Sequence, residues 1–153
     1  MLKVASANEL GAHVAALAGT SRWREISQDM IDRFAELTGD THWIHTQPDR
    51  ARAEGPFGGT VAHGFLTLSL LTSSLHDCLD IAAARRFVNY GLDRVRFTSP
   101  VRAGQRVRLA LSVAAVDAAG AGATRLQFGC VMEVEGQQTP AIRADLIVIA
   151  YEG

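Results

Sequence analysis

The stretch from Gly59 to Leu75, "GTVAHGFLTLSLLTSSL", carries no Asp, Glu, Lys or Arg. Helical spacing over about Thr60 to Asp77 puts aliphatic residues on most faces, and such a helix is normally buried all round. Its polar members are small (Thr67, Ser69, Thr72, Ser73 and Ser74), so they can bond back to helix carbonyls and let strands come close. The run falls short of the roughly 20 predominantly apolar residues of a membrane span. His63 and the hydroxyls also argue against lipid. A long helix of this kind needs a coat, and the rest of the chain supplies one.

Downstream the period changes to two. "VNYGLDRVRFTSP" predicts a strand over about Asn89 to Thr98. "QRVRLALSVAAV" alternates with Val107, Leu109, Leu111 and Val113 on one face. "TRLQFGCVMEVEG" repeats this with Leu126, Phe128, Cys130, Met132 and Val134, and the C-terminal segment with Ile142, Leu146 and Val148. Gly104, Gly120, Gly122 and Gly136 mark the turns. Upstream, Ser27 can cap a helix over 28–37 whose apolar side is Met30, Ile31, Phe34 and Leu37, with Gly39 as C-cap. Pro48 opens a second short helix that ends at Gly55 and Pro56. The pieces assemble as a single α+β domain over residues 1–153: antiparallel strands wrapped around one long helix, with the N-terminal helix covering an edge.

Composition bounds the function. The chain has 153 residues, 48% of them hydrophobic, and a formal charge of −1 from 15 basic and 16 acidic side chains. That is enough chain for one real core and excludes disorder. It offers no nucleic-acid-binding composition. Cys78 and Cys130 lie far apart with no metal or redox spacing, which fits buried thiols in a reducing compartment. The N-terminus lacks the pattern of a signal peptide. A cytoplasmic protein without a membrane span is the expectation.

Chemistry concentrates in "AELTGDTHWIH", Ala35 to His45. A carboxylate, Asp40, and two imidazoles, His42 and His45, crowd the bend after Gly39. Together with "GGTVAHGFLTLSLL", this stretch resembles the hydratase motif of the MaoC-like dehydratases, usually Gly-Asp-x-Asn-Pro-[Ile/Leu]-His followed by an Ala-His-Gly helix start. "GDTHWIH", "NYGLDRVRF" and "PVRAG" are similar to the NodN-like branch, and the likeness runs nearly end to end. It implies the hotdog fold, a curved antiparallel sheet wrapped around a long central helix. It also implies (R)-specific hydration of trans-2-enoyl thioesters on coenzyme A or an acyl-carrier protein, with no cofactor and no metal, by a homodimer.

By that resemblance Asp40 and His45 are the catalytic pair. Water is a poor nucleophile and needs a base, and the α-carbon must receive a proton; two proton-handling groups around one water serve both needs. Which group takes which role stays open. Gly64 matches the glycine whose backbone N–H contacts the thioester oxygen, at a helix start where N–H groups are free and the dipole is favourable. Ser69 matches a serine near the catalytic carboxylate, although a bond to its own helix serves equally well. His42 stands where Asn is usual and can brace Asp40's backbone across the loop. Trp43, Phe57, Phe65, Asn89 and Tyr90 are candidate walls of the acyl and thioester channel. Arg94, sharing a strand face with Arg96, is a candidate for coenzyme A phosphates. Two rivals are a hotdog acyl-CoA thioesterase and a non-catalytic acyl-thioester-binding module. The Gly-Asp-x(4)-His spacing opposes the first, and retention of Asp40, His45 and Gly64 opposes the second.

Overall fold

The computed structural model describes residues 1–120 and 122–152. The chain opens with β1 (Leu2–Val4), a 3₁₀ turn, β2 (Leu17–Thr20) and β3 (Arg24–Glu25). Three helices follow: α1 (Gln28–Thr38), α2 (Trp43–Thr46) and α3 (Pro48–Glu54). Then come the long helix α4 (Gly64–Cys78), the short β4 (Leu79–Ile81) and four strands, β5 (Ala84–Phe97), β6 (Arg106–Ala118), β7 (Ala123–Val134) and β8 (Ile142–Glu152). The main sheet runs β2-β6-β7-β8-β5, with β3 also paired to β6; β1 and β4 form a small parallel pair. The pairings within the main sheet are antiparallel.

Alternation predicted the inner face of this sheet. Val107, Leu109, Leu111 and Val113 of β6, Leu126, Phe128, Cys130 and Met132 of β7, and Ile142, Leu146 and Val148 of β8 are all buried. They meet Leu66, Leu70, Leu71, Leu75 and Cys78 of α4 in one core. Each fully buried Leu or Phe contributes about 1.5–3 kcal/mol, which makes this layer the main source of stability.

The structure corrects several expectations. α4 begins at Gly64, not near Thr60, because the preceding residues bond elsewhere: Val61 N–H donates to Ile44 and Ala62 N–H to Val101. Nor is α4 buried all round. Phe65, Ser69, Thr72, Ser73 and His76 form an exposed stripe at helical spacing. In α1, Ser27 and Gly39 cap as predicted: the Ser27 hydroxyl accepts from Met30 N–H, and Gly39 is left-handed at φ 77°. Leu37, however, is 83% exposed, and Ala35 takes the buried place. α1 lies against α2 rather than along a sheet edge; β2 and β3 cover that edge by pairing with β6. β5 starts five residues earlier than Asn89, at Ala84, and its register against β8 slips in several places, one of them between Asp93 and Arg96. A strict two-residue alternation therefore does not carry from Arg94 to Arg96.

Candidate active site

The end of α1, the short α2 and the start of α4 converge on one spot. Left-handed Gly39 turns the chain out of α1 and delivers Asp40 with its side chain 59% exposed. Two residues later His42 caps α2, its Nδ1 accepting from Ile44 N–H at 3.3 Å. That cap places His45 one turn further on, facing the segment that leads into α4.

A hydrogen bond orients the His45 ring. Its Nδ1 lies 2.6 Å from the Val61 carbonyl oxygen. A carbonyl only accepts, so Nδ1 carries a hydrogen there, and Nε2 is the ring atom left for another partner. The backbone of His45 is also held, since its carbonyl accepts from Gln28 Nε2 at 2.8 Å. Gln28 in turn bonds Thr60. Nothing in the sequence marked Gln28, because its partners lie 17 and 32 residues away.

Beneath this pair lies His63, buried at 4% exposure. Its ring stacks on His45 with centroids 3.8 Å apart, and on its other flank Phe34 sits at 5.1 Å. His63 Nε2 lies 2.9 Å from the Asp40 backbone oxygen and 3.9 Å from the Asp40 carboxylate. Bracing Asp40's backbone, a task conceived for His42, thus falls to His63.

Asp40, His45 and His63 offer metal-ligating atoms within 4.8 Å of one another. Of these atoms, His63 Nε2 already bonds the Asp40 carbonyl oxygen.

Gly64 follows His63 as the first residue of α4, and His63 caps the helix without a side-chain bond. The first N–H groups of a helix lack partners within it. Gly64 also meets a contact the sequence did not reveal: a β-carbon there would lie 2.8 Å from the Phe97 ring, which would have to shift. The close approach expected of a thioester is, in this structure, made by Phe97. Gly64, Phe57 and Phe97 line a cleft of about 280 Å³ with Ala62, Thr67 and Ile142.

The other candidates lie along the open side of α4. Phe65, Ser69, Asn89 and Tyr90 line a second cleft of about 390 Å³ with Leu68 and Leu92. There the Ser69 hydroxyl donates to the Leu66 carbonyl at 2.7 Å, the local helix bond, and Asn89 donates to Thr72 at 3.0 Å. Trp43 is half-buried beneath the Arg50 guanidinium, 4.6 Å from its ring. Arg94 stands apart: its guanidinium is bound to the buried Asp145 carboxylate, its φ is 51°, and Gln127 bonds the same carboxylate. Its charge is already matched within the chain.

Known proteins resemble this chain in sequence and in fold. Residues 10–126 match the model of the MaoC like domain. The chain is 42% identical over 143 residues to 3-hydroxyacyl-thioester dehydratase Z of Mycobacterium tuberculosis, covering 94% of each chain. It is 43% identical over 132 residues to Nodulation protein N of Rhizobium leguminosarum bv. viciae, covering 86% of this chain and 82% of that one. The unliganded R-hydratase PhaJ1 of Pseudomonas aeruginosa superposes with a TM-score of 0.71 at 20% identity, over 87% of this chain and 79% of that one, which shows the shared hotdog fold. With a family model matched over most of its length and relatives that share two-fifths of its residues, this chain belongs to the MaoC-like dehydratase family.

Proposed function

We propose that this protein is a hydro-lyase that reversibly hydrates trans-2-enoyl thioesters to (R)-3-hydroxyacyl thioesters. The observation that carries the reading is the placement of His45. Its Nδ1–H is spent on the Val61 carbonyl, so Nε2 is the ring atom left to share the mouth of the site with the exposed Asp40 carboxylate. Two proton acceptors of different basicity around an open space are suited to holding one water.

In the forward direction the water oxygen bonds to the β-carbon as a member of the pair takes its proton. The alkene electrons move toward the thioester, and negative charge grows on its oxygen. The Gly64 N–H, at the positive end of α4, stabilises that oxygen. A proton then joins the α-carbon, so the atoms of one water have been added and the pair is restored. The reaction needs no cofactor; coenzyme A or a carrier-protein pantetheine belongs to the substrate. The (R) hand is part of this proposal by analogy with the motif resemblance; the likeness to an R-hydratase supplies the fold alone.

The working unit in this proposal is a homodimer. β5 is paired on one side only, with β8, and its region exposes Val88, Tyr90, Leu92 and Phe97, with Phe65 of α4 beside them. An unpaired apolar edge of this kind is normally covered, and a second copy covers it symmetrically.

Purified protein with crotonyl-CoA, longer trans-2-enoyl-CoAs and an enoyl-carrier protein tests the reading. Loss of enoyl absorbance and an (R)-3-hydroxyacyl product are expected. Hydrolysis of saturated acyl-CoA without any hydration would replace this reading with a thioesterase.

A further inference from the structure

We infer that His63 is a positioning residue that locks Asp40 and His45 together and ties both to the first turn of α4. The inference rests on the proposed reaction for its catalytic meaning, but its geometric content stands on this structure alone.

The Asp40 carbonyl accepts, so His63 Nε2 must carry the hydrogen of that 2.9 Å bond. Among the described residues, His63 Nδ1 is buried with no hydrogen-bond partner. Burying an unpaired polar atom is costly. A leucine would fill much of the same volume between Phe34 and His45 with no such cost. Stability therefore does not account for a histidine here. What the imidazole supplies beyond an apolar side chain is a donor aimed at Asp40 and a flat face for His45.

Both contacts matter because Asp40 has little other support. It follows a left-handed glycine, it is exposed, and its N–H meets only the Thr38 hydroxyl, at 3.5 Å. His45 is anchored through Val61, two residues before His63. The residue after His63 is Gly64. One side chain thus links the water-handling pair to the helix start whose N–H faces the growing charge, across 23 residues of sequence. Small misplacements among such groups are expensive in rate.

The test uses the full chain with His63→Leu and His63→Gln. Leucine removes the donor and the orphaned acceptor together; the glutamine Nε2–H can still reach the Asp40 carbonyl. His63→Leu should melt at or above the wild-type temperature yet lose about 10- to 100-fold in kcat with little change in KM. His63→Gln should recover most of that kcat without being the more stable of the two. Wild-type kcat in the leucine variant, or equal loss in both variants, would overturn the inference. Imidazole ¹⁵N NMR of the unmutated protein covers the case in which His63→Leu does not fold. His63 should show a hydrogen on Nε2 and a bare Nδ1, and the reverse tautomer overturns the inference. A wild-type protein that hydrates no enoyl thioester would sink the proposed reaction instead. The tautomer, with the shift in His63→Gln of the Thr41 amide (which shares a peptide unit with the Asp40 carbonyl), would still decide the geometric claim.

Discussion

The two sides of α4 are built to different standards. Toward the sheet, Leu66, Leu70, Leu71, Leu75 and Cys78 are at most 9% exposed and close against Phe128, Leu109 and Leu146. Toward β5, the same helix shows Phe65 at 69% exposure, followed by Ser69, Thr72, Ser73 and His76. The facing strand has a broken register, a non-glycine residue at positive φ and exposed aromatics. One side is finished by this chain; the other stays open. A hydrophobic helix is therefore not evidence of complete burial within its own chain.

The sharpest separation of the two sides is chemical. Asp40→Asn and His45→Gln alter the two groups at the mouth of the site, so each should lower turnover by about 10²–10⁴-fold while circular dichroism holds. The thermal midpoint should be unchanged in Asp40→Asn and lowered only modestly in His45→Gln, which loses the stack on His63. Near-full turnover in either variant would remove it from the catalytic pair. On the finished side the pattern reverses. Phe128→Ala should cost about 3–5 kcal/mol in a denaturant titration, whereas Phe65→Ala, at an exposed position, should cost far less. If Phe65→Ala is equally damaging in the monomer, the two sides do not differ as described.

Gly64 sits at the boundary between them. Gly64→Ala drives a methyl group into the Phe97 ring, an overpacking worth about 1–3 kcal/mol. Adding Phe97→Leu should return most of that stability. If activity stays low in the stable double variant, the methyl group also obstructs the thioester; if it returns, Gly64 serves Phe97 alone.

The smallest effect is confined to the packed side. Burial pushes the Cys78 thiol from 9.0 up to about 11 and the Cys130 thiol up to about 12. The folded state thus holds these protons more tightly than the unfolded chain. Their contribution is complete below about pH 9 and is lost as pH rises through about 11 to 12. Denaturant midpoints should decline over that window, less steeply in Cys130→Ala, and neither thiol should react with a thiol reagent at neutral pH while the protein is folded.

The legible parts of this molecule were those with short-range signals. β7 alternates from Thr124 on and β6 does so up to Val113, while β8 buries Ile142, Leu146 and Val148 on the predicted face and Asp145 and Ile147 besides, so the inner residues could be named from period alone. Asp40, His45 and Gly64 could be singled out as candidates because their motifs are contiguous in sequence. The rest depends on contacts across the chain. Phe97 meets Gly64 from 33 positions away, His63 meets Asp40 from 23, and the register slips in β5 have no sequence marker that a period of two can detect. Arg94 illustrates the limit: as a strand cation it suggested a phosphate contact, and only the fold brings Asp145 beside it.

One measurement bears most directly on the central claim: a crystal structure with an unreactive enoyl-thioester analogue. The analogue's carbonyl oxygen should lie about 2.7–3.1 Å from the Gly64 N–H, its β-carbon should face a water held between Asp40 and His45 Nε2, and the Phe97 ring should still leave that path open. A carbonyl turned away from Gly64, or an alkene remote from Asp40 and His45, would contradict the account.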